Sequence, residues 1–195
     1  ASGTQDNFSY DRTAVSAKNS DITRMQISLL RTAKLVTVTH ERENGEVIAE
    51  LARQTDCIKC AKEYKIYSYT FGISPDFSAV AEGEVTHIVM RAYLDVSGDF
   101  DPARNKNAVW DIPVTVDNIA PVIENVAYAD GKLTLTAKDS HYIAQIRASQ
   151  SASFTNSQSV LYYGEKGQKT VFEYESAAKL IYIQLADYAK NERTY

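Results

Sequence analysis

Apolar and polar residues alternate with a period of two along most of this chain, and no long stretch shows the spacing of an amphipathic helix. The clearest case is Leu35–Arg42 followed by Glu46–Leu51, two strand-like runs around Glu43-Asn44-Gly45. Asn-Gly supplies the positive φ angles that a tight hairpin turn needs, so the pattern predicts a β-hairpin. Tyr64–Phe71 alternates in the same way. In Glu84–Asp95 one parity carries Ile88, Met90, Ala92 and Leu94 and the other carries His87, Arg91 and Tyr93, which predicts a strand with the first set toward the core. Phe8–Val15 and Ile22–Arg31 are further strand candidates, although Asp21-Ile22-Thr23-Arg24 also suits a helical turn. Arg53–Glu63 and Ser97–Asn107 carry neither period and read as loops.

The stretch from Trp110 to Tyr128 organises the rest. Two strand-like runs, Trp110–Val116 and Val122–Tyr128, flank Asp117-Asn118-Ile119-Ala120-Pro121. Pro121 lacks a backbone donor and biases Ala120 away from helix, so the break reads as a stiff joint between two domains. Beyond it, strands come at the short regular spacing of a sandwich: Val122–Tyr128, Lys132–Ala137, Tyr142–Ala148, Ser159–Tyr163, Lys169–Tyr174 and Leu180–Asp187. Leu133 and Leu135, Ala144 and Ile146, and Ile181, Ile183 and Leu185 are the expected inward sets.

Composition narrows the class. A length of 195 residues suits two small sandwiches, and 44% hydrophobic with 24% charged residues is ordinary for a folded chain. A net charge of -4 without a run of Lys or Arg gives no electrostatic reason to expect nucleic acid, and no apolar run is long enough for a membrane helix. The 13 Tyr, against 6 Phe and 1 Trp, suit a strand-rich surface where rings pack and hydroxyls stay wet. The start at Ala1 and the end at Tyr195 directly after a strand pattern read as a piece cut from a larger exported protein.

Three segments resemble a known family. Ala81–Ala92, the later Trp110, and Pro113–Ile123 with its V-D-x-x-A-P junction are similar to the fibronectin type III-like and Ig-like modules of bacterial cell-envelope, lactocepin-like subtilisin-like serine proteases. Asp187-Tyr188-Ala189-Lys190-Asn191 resembles the family's D-x-A-G-N strand-end turn, with Lys190 where the family usually has Gly. The resemblance implies an extracellular, cell-surface or secreted location and the catalytic domain of the same parent chain as a partner.

Candidate chemistry is sparse. His40, His87 and His141 share no metal-ligand spacing, and no helix is visible to carry a subtilisin-type Ser. Cys57 and Cys60 form half a zinc site at most and lack the strand and helix of a redox motif. A local disulfide is the favoured reading, with free thiols and metal or redox work as alternatives. Asp95, Asp99 and Asp101 are calcium candidates in a loop, without the order of an EF-hand. The Asp117-Asn118 pair resembles a cadherin linker, but Ile119 interrupts the run.

The expectation is therefore an all-β chain of two tandem antiparallel Ig-like or fibronectin type III-like β-sandwiches, residues 1–119 and 120–195. It has no catalytic, cofactor-binding or assigned metal residues, and it acts as spacer, stabiliser or substrate-contact region. The alternative is an adhesin module that binds glycan or host protein. Nucleic acid and membrane insertion are not expected.

The favoured Cys57–Cys60 bridge has a direct check, because bridged Cα atoms lie within about 7 Å and the chain must turn between them. Mass spectrometry of unreduced protein should find it two hydrogens lighter than the dithiol. Full alkylation without reductant would reject the bridge.

Overall fold

The computed structural model describes residues 14–16, 22–29, 33–55, 67–94 and 106–195, the side chains of 14, 67, 94 and 106–108 excepted. Cys57, Cys60, Asp95, Asp99 and Asp101 lie outside the described residues. The described strands are β1 (Ala14–Val15), β2 (Arg24–Leu29), β3 (Ala33–Arg42), β4 (Val47–Thr55), β5 (Tyr67–Gly72), β6 (Val85–Leu94), β7 (Lys106–Val116), β8 (Val122–Ala129), β9 (Lys132–Lys138), β10 (Ile143–Ser149), β11 (Gln158–Leu161), β12 (Thr170–Glu175), β13 (Tyr182–Asp187) and β14 (Glu192–Thr194). The described residues contain no helix, and the pairings among β2–β14 are antiparallel.

They fall into two compact units. The first takes 22–116; the second takes Asp117–Tyr195 together with Ala14, Val15 and Ser16. The division falls between Val116 and Asp117, three residues before the expected boundary at 119. The hydrogen bonds of the two residues explain the difference. Val116 N–H donates to Glu84 O (3.0 Å) and its carbonyl accepts from Gly83 N–H (2.8 Å), all within the first unit, whereas Asp117 N–H donates to Val15 O (2.9 Å) in the second.

In the first unit β7, β6, β3 and β4 pair in that order and β2 pairs with β5. Its core draws on both sheets, with Val36, Val38, Met90, Ile112 and Val114 from one and Met25, Ile27, Leu29 and Tyr69 from the other. Ala33 N–H donates to the Tyr69 hydroxyl at 2.9 Å, a buried link between them. Strand β3 is buried on both parities. One parity holds Val36, Val38 and His40; the other holds Thr37, Thr39 and Glu41. Glu41 survives there because Arg91 on the neighbouring strand grips it through both guanidinium nitrogens, and that hydrogen bonding holds its carboxyl below the usual range.

Several local expectations need correction. Of Asn44 and Gly45 only Gly45 has positive φ (86°), with Gly45 N–H donating to Arg42 O and Arg42 N–H to Glu46 O. The connection is a three-residue loop with glycine at the left-handed position, not a two-residue turn that needs both residues there. Residues 21–24 do not offer a described helical turn: Arg24 already opens β2, and Thr23 O accepts from Ile73 N–H at 3.0 Å. Strand β4 runs on through Arg53–Thr55, and β7 starts at Lys106, inside the expected loops.

The second unit is a sandwich of two sheets, β12-β9-β8 and β11-β10-β13-β14. Both contribute to one core of Leu133, Leu135, Ala137, Ile143, Ile146, Ala148, Phe172, Ile183 and Leu185. The β8–β9 hairpin turns on Asp130 (φ 49°) and Gly131 (φ 78°), the pair of positive angles that a two-residue primed turn requires. Ala144 is not inward as expected. A register irregularity between Ile143 and Gln145 switches the parity of β10, so Ile143 is buried before it and Ile146 and Ala148 after it. The short β14, Glu-Arg-Thr, carries no apolar residue, which hides it from pattern reading.

Leu185 is fully buried and Val126 is 57% exposed. Leu185→Ala should cost about 3 kcal/mol through lost burial and an unfilled cavity, while Val126→Ala should stay within about 0.5 kcal/mol. Urea unfolding followed by circular dichroism measures both, and equal losses would contradict this core.

Candidate functional site

Three turns of the second unit converge on one buried polar cluster. Asp117 follows β7, Asp139 follows β9, and Asp187 closes β13, and each leaves its strand where side chains point toward the same interior space. They are 0%, 4% and 3% exposed. Each offers a carboxylate oxygen, and these three atoms lie within 4.8 Å of one another.

Local turn chemistry positions each group. Asp139 Oδ2 accepts from His141 N–H at 2.8 Å, the Asx-type bond that suits Asp to a strand end. Asp187 Oδ1 accepts from Asn191 N–H (2.8 Å) and Oδ2 from Asn191 Nδ2–H (2.7 Å), while Asp187 O accepts from Lys190 N–H (3.2 Å). The same Asn191 amide nitrogen donates to Asp117 O at 2.8 Å. Asp117 Oδ1 accepts from Ile119 N–H at 3.2 Å, and Oδ2 lies 3.2 Å from His141 Nδ1. Asp139 Oδ1 is buried with no hydrogen-bond partner. Lys190 sits at φ 66°, the left-handed region that glycine occupies most readily.

Burial dominates the electrostatics. Desolvation pushes the Asp187 carboxyl up to about 7; the Asn191 hydrogen bonds oppose the rise, and the charges of Asp117 and Asp139 add to it. Desolvation also raises Asp139, against hydrogen bonds from the following backbone. An all-oxygen set of this kind is suited to a hard cation rather than to thiophilic metals or nucleophilic chemistry.

The structure scatters the three histidines. His40 is fully buried in the first unit, with Nε2 2.8 Å from Thr86 Oγ1 and its ring edge-on to Phe77 at 4.7 Å; burial lowers its pKa. His87 Nδ1 lies 2.7 Å from Asp111 Oδ1 on the same sheet. Only His141 joins the carboxylates. Asp139 and Asp187 were missed as partners because nothing in their spacing links them. The signals that existed were separate: a V-D junction, an Asp-Ser-His turn and a D-x-A-x-N strand end.

No family model and no curated protein matches the chain. Among solved structures, the chain is similar to pullulanase complexed with maltotriose from Anoxybacillus sp. LM18-11, at 10% identity and a TM-score of 0.31, over 94% of this chain and 24% of that one. The chain thus spans about a quarter of that protein. A likeness that loose says nothing of substrate.

The cluster should write itself into the pH dependence of stability. The folded state holds the Asp187 proton up to about pH 7, while the unfolded chain releases it near 3.8. Stability contributed below that lower value is therefore lost as pH rises from about 4 to 7. In chelator, urea midpoints of wild type minus those of Asp187→Asn should fall across this window, and a flat difference would contradict the raised pKa.

Proposed function

We propose that this chain is a non-catalytic pair of β-sandwich modules from a larger extracellular bacterial surface protein, with a subtilisin-like protease as parent. Its work is to space and stabilise the parent chain. The observation that carries this reading is the joint. The chain leaves one unit at Val116 and enters the other at Asp117; both residues are fully buried, and each is hydrogen-bonded within its own unit. Each unit is thus closed by its own buried residues and hydrogen bonds, as independently folding modules are. The resemblance of the 81–92, 113–123 and 187–191 segments to protease modules supports the choice of parent.

The rival glycan-binding reading rests on exposed Tyr rings. In the second unit Tyr163 is 72% exposed, Tyr128 52% and Tyr195 46%. Tyr163 and Tyr195 follow β11 and β14, strands at opposite edges of one sheet, and Tyr128 lies on β8 of the other, so the three do not share one sheet edge as a stacking strip. The Tyr195 hydroxyl is also already engaged, accepting from Ile123 N–H at 3.1 Å.

Two measurements test the proposal. The chain alone should stay at background on casein and model peptide esters, and activity abolished by replacing a single Ser or His would overturn it. Deleting the segment from its parent protease should leave kcat on a small peptide unchanged and shorten the half-life on heating. A collapse of kcat with unchanged half-life would place the segment in catalysis instead.

A further inference from the structure

From the buried cluster we infer a calcium site formed by Asp117, Asp139 and Asp187, a binding site distinct from the Asp95, Asp99 and Asp101 loop that the sequence suggests. The inference is independent of the spacer reading.

Three observations carry it. Three carboxylates, each at least 96% buried, bring oxygens within 4.8 Å of one another. Two ligands on opposite sides of one Ca²⁺ ion, each at about 2.4 Å, are about 4.8 Å apart, so every pair in the cluster can touch a single ion. Mg²⁺, at about 2.0–2.1 Å, spans only about 4.2 Å and keeps several of its waters, which carboxylates this buried do not favour. Second, Asp139 Oδ1 is buried without a donor, although an unmade hydrogen bond on a buried acceptor costs about 1–3 kcal/mol. A cation is the partner that removes this cost. Third, backbone and amide donors of the protein already hold all three aspartates. Asn191 grips Asp187 and the Asp117 carbonyl, and the His141 and Ile119 amides hold Asp139 and Asp117, so the carboxylates are oriented before any ion arrives.

The ion would join the start of the second unit to the turns after β9 and β13. Because it binds the folded state and the unfolded chain lacks the assembled site, it should raise thermal stability by mass action.

The test is calorimetry and thermal unfolding of the chain, freed of metal with chelator and then titrated with CaCl₂ or MgCl₂ at pH 7.5. One equivalent of Ca²⁺ should bind, and 5 mM Ca²⁺ should raise Tm by about 5–10 °C with a much smaller effect of Mg²⁺. Asp139→Asn removes one charged ligand at an oxygen without a protein donor, so it should fold and lose the Ca²⁺ shift. If it does not fold, Asp187→Asn serves as the second variant, since its amide oxygen still accepts one Asn191 bond. Absence of a saturable heat and Tm shift in the wild type would overturn the site. So would an equal response to Mg²⁺. Binding that persists unchanged in either folded variant would place the ion elsewhere, the 95–101 loop included, and would also overturn it.

Discussion

Charges of one sign cannot crowd into a space without water unless something offsets them, and the second unit is arranged around that constraint. Asp117, Asp139 and Asp187 come from three separate turns, and each is held by backbone or amide donors. Asn191 is the common element. Its single amide nitrogen bonds both the Asp187 carboxylate and the Asp117 carbonyl, so the turn after β13 and the entry of the chain into the unit are fixed by one side chain. The apolar core on the two sheets stabilises the sandwich by burial, but burial is nondirectional. The polar cluster is what specifies which turns meet.

Two buried polar arrangements in this protein solve the same difficulty differently. In the first unit Glu41 is matched by the bidentate Arg91 and by Thr39, and its carboxyl stays ionised more readily than usual. In the second three carboxylates stand together, and Asp187 moves in the opposite direction. Pairing and desolvation compete in both places; a guanidinium decides the first and burial decides the second.

Much of the architecture is legible in the sequence. The alternation in Val85–Leu94 assigns Ile88, Met90 and Ala92 inward correctly, and Asp130-Gly131 marks the β8–β9 hairpin because few other pairs accept two positive φ angles. Parity failed at Ala144, where an irregularity of one residue shifts every later side chain of β10, and a strand pattern contains no term for that. His40 illustrates the opposite limit. Its strand is evident, but its complete burial follows from β3 having neighbours on both sides and cover on both faces, a tertiary fact. The carboxylate cluster was visible only as fragments for the same reason, since each Asp reads as an ordinary turn residue until the turns are brought together.

The assignment of Val15 to the second unit changes how the chain must be assembled. The second unit is discontinuous in sequence, because Val15 belongs with Asp117–Tyr195 although most of the first unit lies between them along the chain. During synthesis β1 emerges early and waits for Asp117, whose amide bonds Val15 O, until the whole intervening unit has been made. Gene fragments starting at 117 would omit this acceptor, so transplanting the second unit intact requires carrying a short piece of chain from far upstream.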